Sequence, residues 1–160
     1  MNAPRPMPRF KNCFVCGNEN PQGLKLKFTY EGDKVNADFS LNSLYRGYAD
    51  RIHGGIVAAV IDEAMCWAAI VKFKRLYCTL ELNIRYYLPI LSDKYYTVEA
   101  ISTKGKSKLA LCEGKIFDKT GTIFVSASGK YLVVPEEQEM IKYLYREEGE
   151  KRSSFSLEQL

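Results

Sequence analysis

A chain of 160 residues that is 46% hydrophobic and 26% charged has room for one domain with a full core, and this composition argues against a disordered chain. The net charge of +4 is too mild to indicate a nucleic-acid partner, although it suits a polyanionic small ligand. Five cysteines, with only Cys13 and Cys16 close together, argue against a disulfide framework.

In chain order, residues 1–23 are rich in Pro, Asn and Gly and read as an irregular N-terminal segment without the apolar h-region of a secretory signal. Within it, Cys13-Phe-Val-Cys16-Gly17 is half of a zinc knuckle, but no second Cys/His pair follows at usable spacing. It reads as a reduced turn, with no metal expected; only two copies meeting in a dimer would assemble four cysteines. Asn20-Pro21-Gln22-Gly23 is a turn signal, and the alternating runs Leu24–Tyr30 and Lys34–Phe39 around Glu31-Gly32-Asp33 predict a hairpin. A loop to Ile52 leads to a long apolar helix, roughly Gly55 to Lys72. Four strand-like runs come after it, at Tyr77–Leu88, Tyr95–Ser102, Lys108–Phe117 and Thr122–Val133. Residues 135–160 form a charged tail with helical content, in which Met140, Ile141, Leu144 and Tyr145 are apolar. One long helix among about six antiparallel strands is an α+β domain whose sheet wraps the helix, spanning residues 24–134. The longest apolar stretches are interrupted by Asp62-Glu63 and are read as short of the ~20 residues a membrane span needs. The expectation is a soluble, cytoplasmic protein with neither a nucleic-acid nor a membrane partner.

The chemistry concentrates in the helix. It is apolar on every side, as in a core helix, yet it carries Asp62 and Glu63 two turns inside. A carboxylate left unpaired away from water costs several kcal/mol, so it must be paired, protonated or employed. Gly54 and Gly55 at the entrance each cost about 0.5–1 kcal/mol against alanine unless the backbone there turns sharply or meets a ligand. A helix N-terminus with bare N–H groups holds a negative oxygen. Oxyanion donors and a buried carboxylate together suit acyl transfer.

Three stretches resemble the hotdog-fold acyl-CoA thioesterases of the phenylacetate and 4-hydroxybenzoyl-CoA type, over roughly residues 13–134. They are Cys13-Phe-Val-Cys-Gly17 with Asn20-Pro-Gln-Gly-Leu24, His53-Gly54-Gly55 followed nine residues later by Asp62, and Thr79-Leu-Glu-Leu-Asn-Ile-Arg-Tyr-Tyr-Leu-Pro89. The resemblance implies that the Gly54 N–H polarises the thioester carbonyl and that Asp62 is the catalytic carboxylate, as general base or as nucleophile. It implies that the Thr79 hydroxyl orients the acid or the water, that no cofactor is needed, and that the active unit is a homodimer or a dimer of dimers. Spacing points the same way: Gly54 and Asp62 lie about 12 Å apart along one helix, too far for both to reach one carbonyl and its water. Two antiparallel copies can pair Gly54 of one with Asp62 of the other.

Other positions carry weaker readings. His53 is either a base or, as assigned here with Gly55 and Glu63, a residue that shapes the helix entrance and positions substrate; Glu63 is also the alternative acid. The alternative for Asp62 is a satisfied core acid bonded to backbone or to Thr79. The residues on its face, Gly55, Ala58, Ala59, Met65, Cys66 and Ala69, are mostly small and favour catalysis because they leave room for substrate. Thr79, Glu81, Asn83 and Arg85 are expected on one strand face, opposite Leu80, Leu82 and Ile84. In the resembled enzymes the basic turn between two strands contacts the coenzyme A nucleotide, so Lys104, Lys106, Ser107 and Lys108 are candidates for its phosphates; the alternative is a solvated hairpin tip. Some of those enzymes also carry Asn or Gln six residues before the histidine, where this chain has Gly47, with Arg46 one place earlier. Trp67, Tyr45, Tyr48 and Phe73 either line an aromatic pocket or fill the core. The reading is acyl-CoA hydrolysis to a carboxylic acid and coenzyme A. A non-catalytic acyl-CoA-binding module is the rival, and a hydroxyacyl-thioester dehydratase is third because His53 is the only histidine.

Overall fold

A computed structural model describes residues 3–106, 108–148 and 157. Seven antiparallel strands form one sheet in the order β1-β2-β3-β7-β8-β9-β6. Their ranges are β1 Arg5–Pro6, β2 Thr29–Glu31, β3 Lys34–Phe39, β6 Tyr77–Tyr86, β7 Tyr96–Lys106, β8 Leu109–Phe117 and β9 Ile123–Val133. A two-stranded ribbon, β4 (Arg46–Tyr48) with β5 (Arg51–Ile52), leads into α1 (Gly54–Phe73), and α2 (Glu137–Glu148) follows β9. The sheet curves around α1, which packs on β3, β6, β7, β8 and β9.

The helix forms where the apolar run predicts and is held at both ends. His53 caps the N-terminus by accepting the Gly55 N–H on its side chain. Lys74 stops the C-terminus in the left-handed region at φ 56°, where its N–H bonds the Ile70 carbonyl. By length and composition alone this 20-residue helix is long enough to cross a membrane, because it runs past both glycines to Phe73. Here it is the core element instead: Val60, Ile61, Ala64, Met65, Ala68 and Ala69 are fully buried against the sheet. Burying a Val, Ile or Met side chain is worth about 1.5–3 kcal/mol, which outweighs what the two glycines cost. Close approach is possible because β8 carries Gly114 beneath the helix; a Cβ there would lie 3.0 Å from Ile61 and 3.1 Å from Met65.

The N-terminal segment and the hairpin depart from the sequence reading. The N-terminal segment contributes a short strand and core residues: Met7, Val15 and Cys16 are buried, and Phe10 stacks on Trp67 at 5.4 Å. The predicted first strand of the hairpin shortens to Thr29–Glu31, because the backbone of Leu24 and Leu26 bonds Phe14 and Val15 rather than a strand. At the far end, Glu137 of α2 accepts from Arg75 at 2.6 Å and from the Leu76 N–H at 2.7 Å, tying the tail to the connection between α1 and β6.

Candidate active site

Asp62 sits half-buried on α1, facing the edge strand β6. Its carboxylate lies 2.9 and 3.1 Å from the Thr79 hydroxyl, and the Tyr131 hydroxyl donates to Oδ1 at 2.8 Å. Thr79 and Tyr131 are direct partners across β6 and β9. A β-bulge between Thr79 and Glu81 makes this possible. It overturns the expectation that Thr79, Glu81, Asn83 and Arg85 share a face. Thr79 points inward beside the fully buried Tyr131, whereas Glu81 pairs with Lys130 on the outer face at 2.7 Å. Leu82 and Ile84 then pack against the core, and Leu80, the extra residue, is exposed. Burial, reinforced by the adjacent Asp62 charge, pushes the Tyr131 phenol well above its ordinary range, so it stays a proton donor to the carboxylate. Tyr131 was not legible as a site residue, since its place depends on the pairing register.

The side of α1 that carries Asp62 is open. Gly55 is exposed, and Ala58, Ala59 and Cys66 are half-buried, whereas Met65 and Ala69, expected on the same face, turn into the core. Beside it, β6 is the last strand of the sheet, with Cys78, Thr79, Leu80 and Glu81 exposed.

At the helix entrance His53, Gly54 and Gly55 are all exposed. The His53 Nδ1 accepts the Gly55 N–H at 3.0 Å, and the Tyr86 hydroxyl donates to the Gly54 carbonyl at 2.8 Å. Among the described residues the Gly54 N–H makes no hydrogen bond, which leaves it as the open donor. It borders a pocket of about 190 Å³ lined by Ile52, Gly54, Val57, Tyr86, Tyr87 and Leu88, among others. The pocket's aromatic residues therefore come from β6 and its end. Trp67 fills the core, Phe73 packs on Tyr77, Tyr45 bonds the Gly23 carbonyl, and Tyr48 lies outside under Arg51.

The basic turn is at the other end of the helix. Lys104, Lys106 and Lys108 are exposed, and a Cβ on Gly105 would touch Phe73, the last residue of α1. Ser107 lies outside the described residues. One chain thus carries the pocket and the lysines about 29 Å apart, at 1.5 Å per helical residue.

Residues 50–125, which hold Gly54, Asp62 and Thr79, match the family model of the thioesterase superfamily. Over that stretch, a little under half of the chain, the sequence is similar to the thioesterase superfamily. Its architecture is the hotdog fold. A crystal structure of a thioesterase superfamily protein superposes with a TM-score of 0.69 at 22% identity, covering 76% of this chain and 63% of that one. This chain thus spans under two thirds of that relative's length. PaaI of E. coli, from the phenylacetic acid degradation operon, superposes at 0.64 with 12% identity, over 69% of this chain and 80% of PaaI. A hypothetical thioesterase of Streptococcus pneumoniae, solved with coenzyme A, gives 0.63 at 15% identity, over 68% and 85% of the two chains. No curated protein matches the sequence.

The structure also places the remaining sequence candidates of this hotdog domain. Arg46 points away from the helix entrance: its guanidinium donates to the Ser92 hydroxyl at 2.7 and 3.0 Å and lies 3.7 Å from Asp93. Gly47 packs against His53 and offers no side chain. Glu63 turns away from Asp62 and Thr79, accepting the Trp67 indole N–H at 3.1 Å and lying 3.5 Å from the Cys13 sulfur. Burial pushes the Glu63 carboxyl up to about 7. Cys13 is drawn down to about 5, first by the hydrogen bond from the Cys16 thiol and then by the backbone N–H groups of Cys16 and Val15. Cys16 is correspondingly pushed up.

Proposed function

We propose that this protein is an acyl-CoA thioesterase, hydrolysing an acyl-CoA to a carboxylic acid and coenzyme A in a homodimer with its active sites at the subunit interface. The observation that carries the reading is the Asp62 carboxylate, aligned by Thr79 and Tyr131 on the open side of α1, with the Gly54 N–H unengaged among the described residues. In this reading the partner's copy of the helix runs antiparallel to α1, so that the Gly54 N–H of one chain meets the Asp62 of the other. The exposed edge strand and the half-buried small residues around Asp62 support such a partner. The Gly54 N–H polarises the thioester carbonyl. Asp62 then takes the proton of a water that attacks the carbonyl carbon, or attacks it directly to give a mixed anhydride that water hydrolyses. Either way the C–S bond breaks, and the thiolate of coenzyme A leaves and is protonated. Lys104, Lys106 and Lys108 pair with the nucleotide phosphates. His53 positions the helix entrance by capping it, and the enzyme is soluble and cytoplasmic on this reading.

Arg46, held by Ser92, and Gly47, with no side chain, supply no second donor to the carbonyl, which favours a different reading: an acyl-CoA-binding module without turnover. Thiol release from short, long and aromatic acyl-CoAs separates the two. Turnover of any member supports the thioesterase. Acyl-CoA that raises the melting temperature with no thiol released makes the chain a binder.

A further inference from the structure

The sequence offers Cys13 and Cys16 as half of a zinc knuckle; the fold brings a third ligand to them from the helix. We infer that Cys13, Cys16 and Glu63 form a binding site for a soft divalent cation, zinc above all, which fastens the N-terminal knuckle to α1 one residue from Asp62. One ligand atom from each of the three lies within 4.8 Å of the others. The Cys13 sulfur and Glu63 Oε1 are 3.5 Å apart. Tetrahedral zinc with Zn–S of about 2.3 Å and Zn–O of about 2.0 Å requires an S···O separation of about 3.5 Å. Little movement is needed for an ion to be held by both.

The surroundings are those of a metal knuckle. The N–H groups of Val15 and Cys16 point at the Cys13 sulfur, at 3.4 and 3.5 Å, as they would toward a coordinated thiolate. The turn closes with the Gly17 N–H on the Cys13 carbonyl at 3.0 Å. It is so tight that a Cβ on Gly17 would lie 2.4 Å from that carbonyl oxygen. Outside the ligands, the Trp67 indole holds Glu63 at 3.1 Å and Phe10 stacks on the indole. Arg9 secures the Cys16 carbonyl at 2.7 Å. Cys16 is fully buried, while Cys13 and Glu63 are half-buried, so the fourth coordination position faces outward and takes a water. Two thiolates and a carboxylate are a donor set that selects zinc over magnesium or calcium. All three ligands belong to one chain, so the site does not require a dimer and does not rest on the thioesterase reading.

The test uses the whole chain, purified under reducing conditions, stripped with a chelator and titrated anaerobically with Co²⁺. One equivalent per chain should give thiolate-to-cobalt charge-transfer absorption in the near ultraviolet and tetrahedral bands in the visible, both lost on adding one equivalent of Zn²⁺. Cys16→Ser should roughly halve the charge-transfer intensity. Glu63→Gln should keep it but weaken zinc binding at least about tenfold, the low end of what losing even an outer-shell partner costs. Asp62→Asn should bind zinc as the wild type does, so a failure of the catalytic reading leaves this result unchanged. A wild-type titration without thiolate charge transfer would overturn the inference whether or not the variants fold. So would a folded Glu63→Gln protein with unchanged zinc affinity.

Discussion

Tyr131→Phe tests the architecture of the carboxylate site without touching the carboxylate. The phenol is fully buried beneath Asp62 and donates to Oδ1 at 2.8 Å. A hydrogen bond to a charged group contributes about 1.5–3 kcal/mol, and phenylalanine keeps the ring's packing while deleting only the donor. Asp62 is half open, so water replaces part of the loss and the lower end of that range applies. About 1.4 kcal/mol is a factor of ten in rate. The expected result is a kcat lowered about tenfold with KM nearly unchanged, measured by thiol release from the best acyl-CoA. Urea unfolding should show about 1 kcal/mol of lost stability. In an Asp62→Asn background the same change should cost little further rate, since both act through one group. A folded Tyr131→Phe enzyme with wild-type kcat would refute the view that this phenol aligns the reacting carboxylate.

Gly54→Ala separates folding from catalysis at the helix entrance: the new methyl would meet only Tyr86, at an ordinary 3.7 Å, so the protein should fold. Thiol release should nevertheless fall at least about tenfold, because the methyl crowds the approach to an N–H whose kind is worth ~2.7–4 kcal/mol where measured. Replacing Lys104, Lys106 and Lys108 together by alanine should raise KM for acyl-CoA severalfold with little change in kcat, and should flatten the salt dependence of kcat/KM. Gly114→Val probes the fold alone, since its Cβ would sit 3.0 Å from Ile61 and 3.1 Å from Met65. A loss of about 1–3 kcal/mol by urea denaturation is expected from overpacking.

The elements that the sequence revealed well were those whose pattern is local. The apolar run with glycines before it and a basic end produced α1 within a residue or two, and the alternating runs after it became β6 to β9. The pairing of Thr79 with Asp62 follows from the family resemblance rather than from any local pattern. What escaped depended on register and distant contact. A single bulge after Thr79 reverses the faces of the rest of β6, and strict alternation cannot foresee it. Tyr131 looks like any strand aromatic until the β6–β9 register sets it opposite Thr79. Glu63 was read beside Asp62 as a second acid, although a neighbouring residue on a helix points about 100° away. That rotation delivers it to Cys13 and Trp67, fifty positions from one and one turn from the other. Likewise the N-terminal segment seemed irregular because its order comes from burying Met7, Val15 and Cys16, which leaves no periodic signal.

Whether Asp62 performs the hydrolysis is decided by steady-state thiol release from wild type and Asp62→Asn on the best acyl-CoA of the panel. Asparagine conserves the shape and can still bond Thr79 and Tyr131, so circular dichroism and melting temperature should match the wild type. With the carboxylate gone, kcat should fall by at least about a hundredfold, the scale of a lost general base. A folded Asp62→Asn protein that turns over acyl-CoA at the wild-type rate would remove Asp62 from the chemistry.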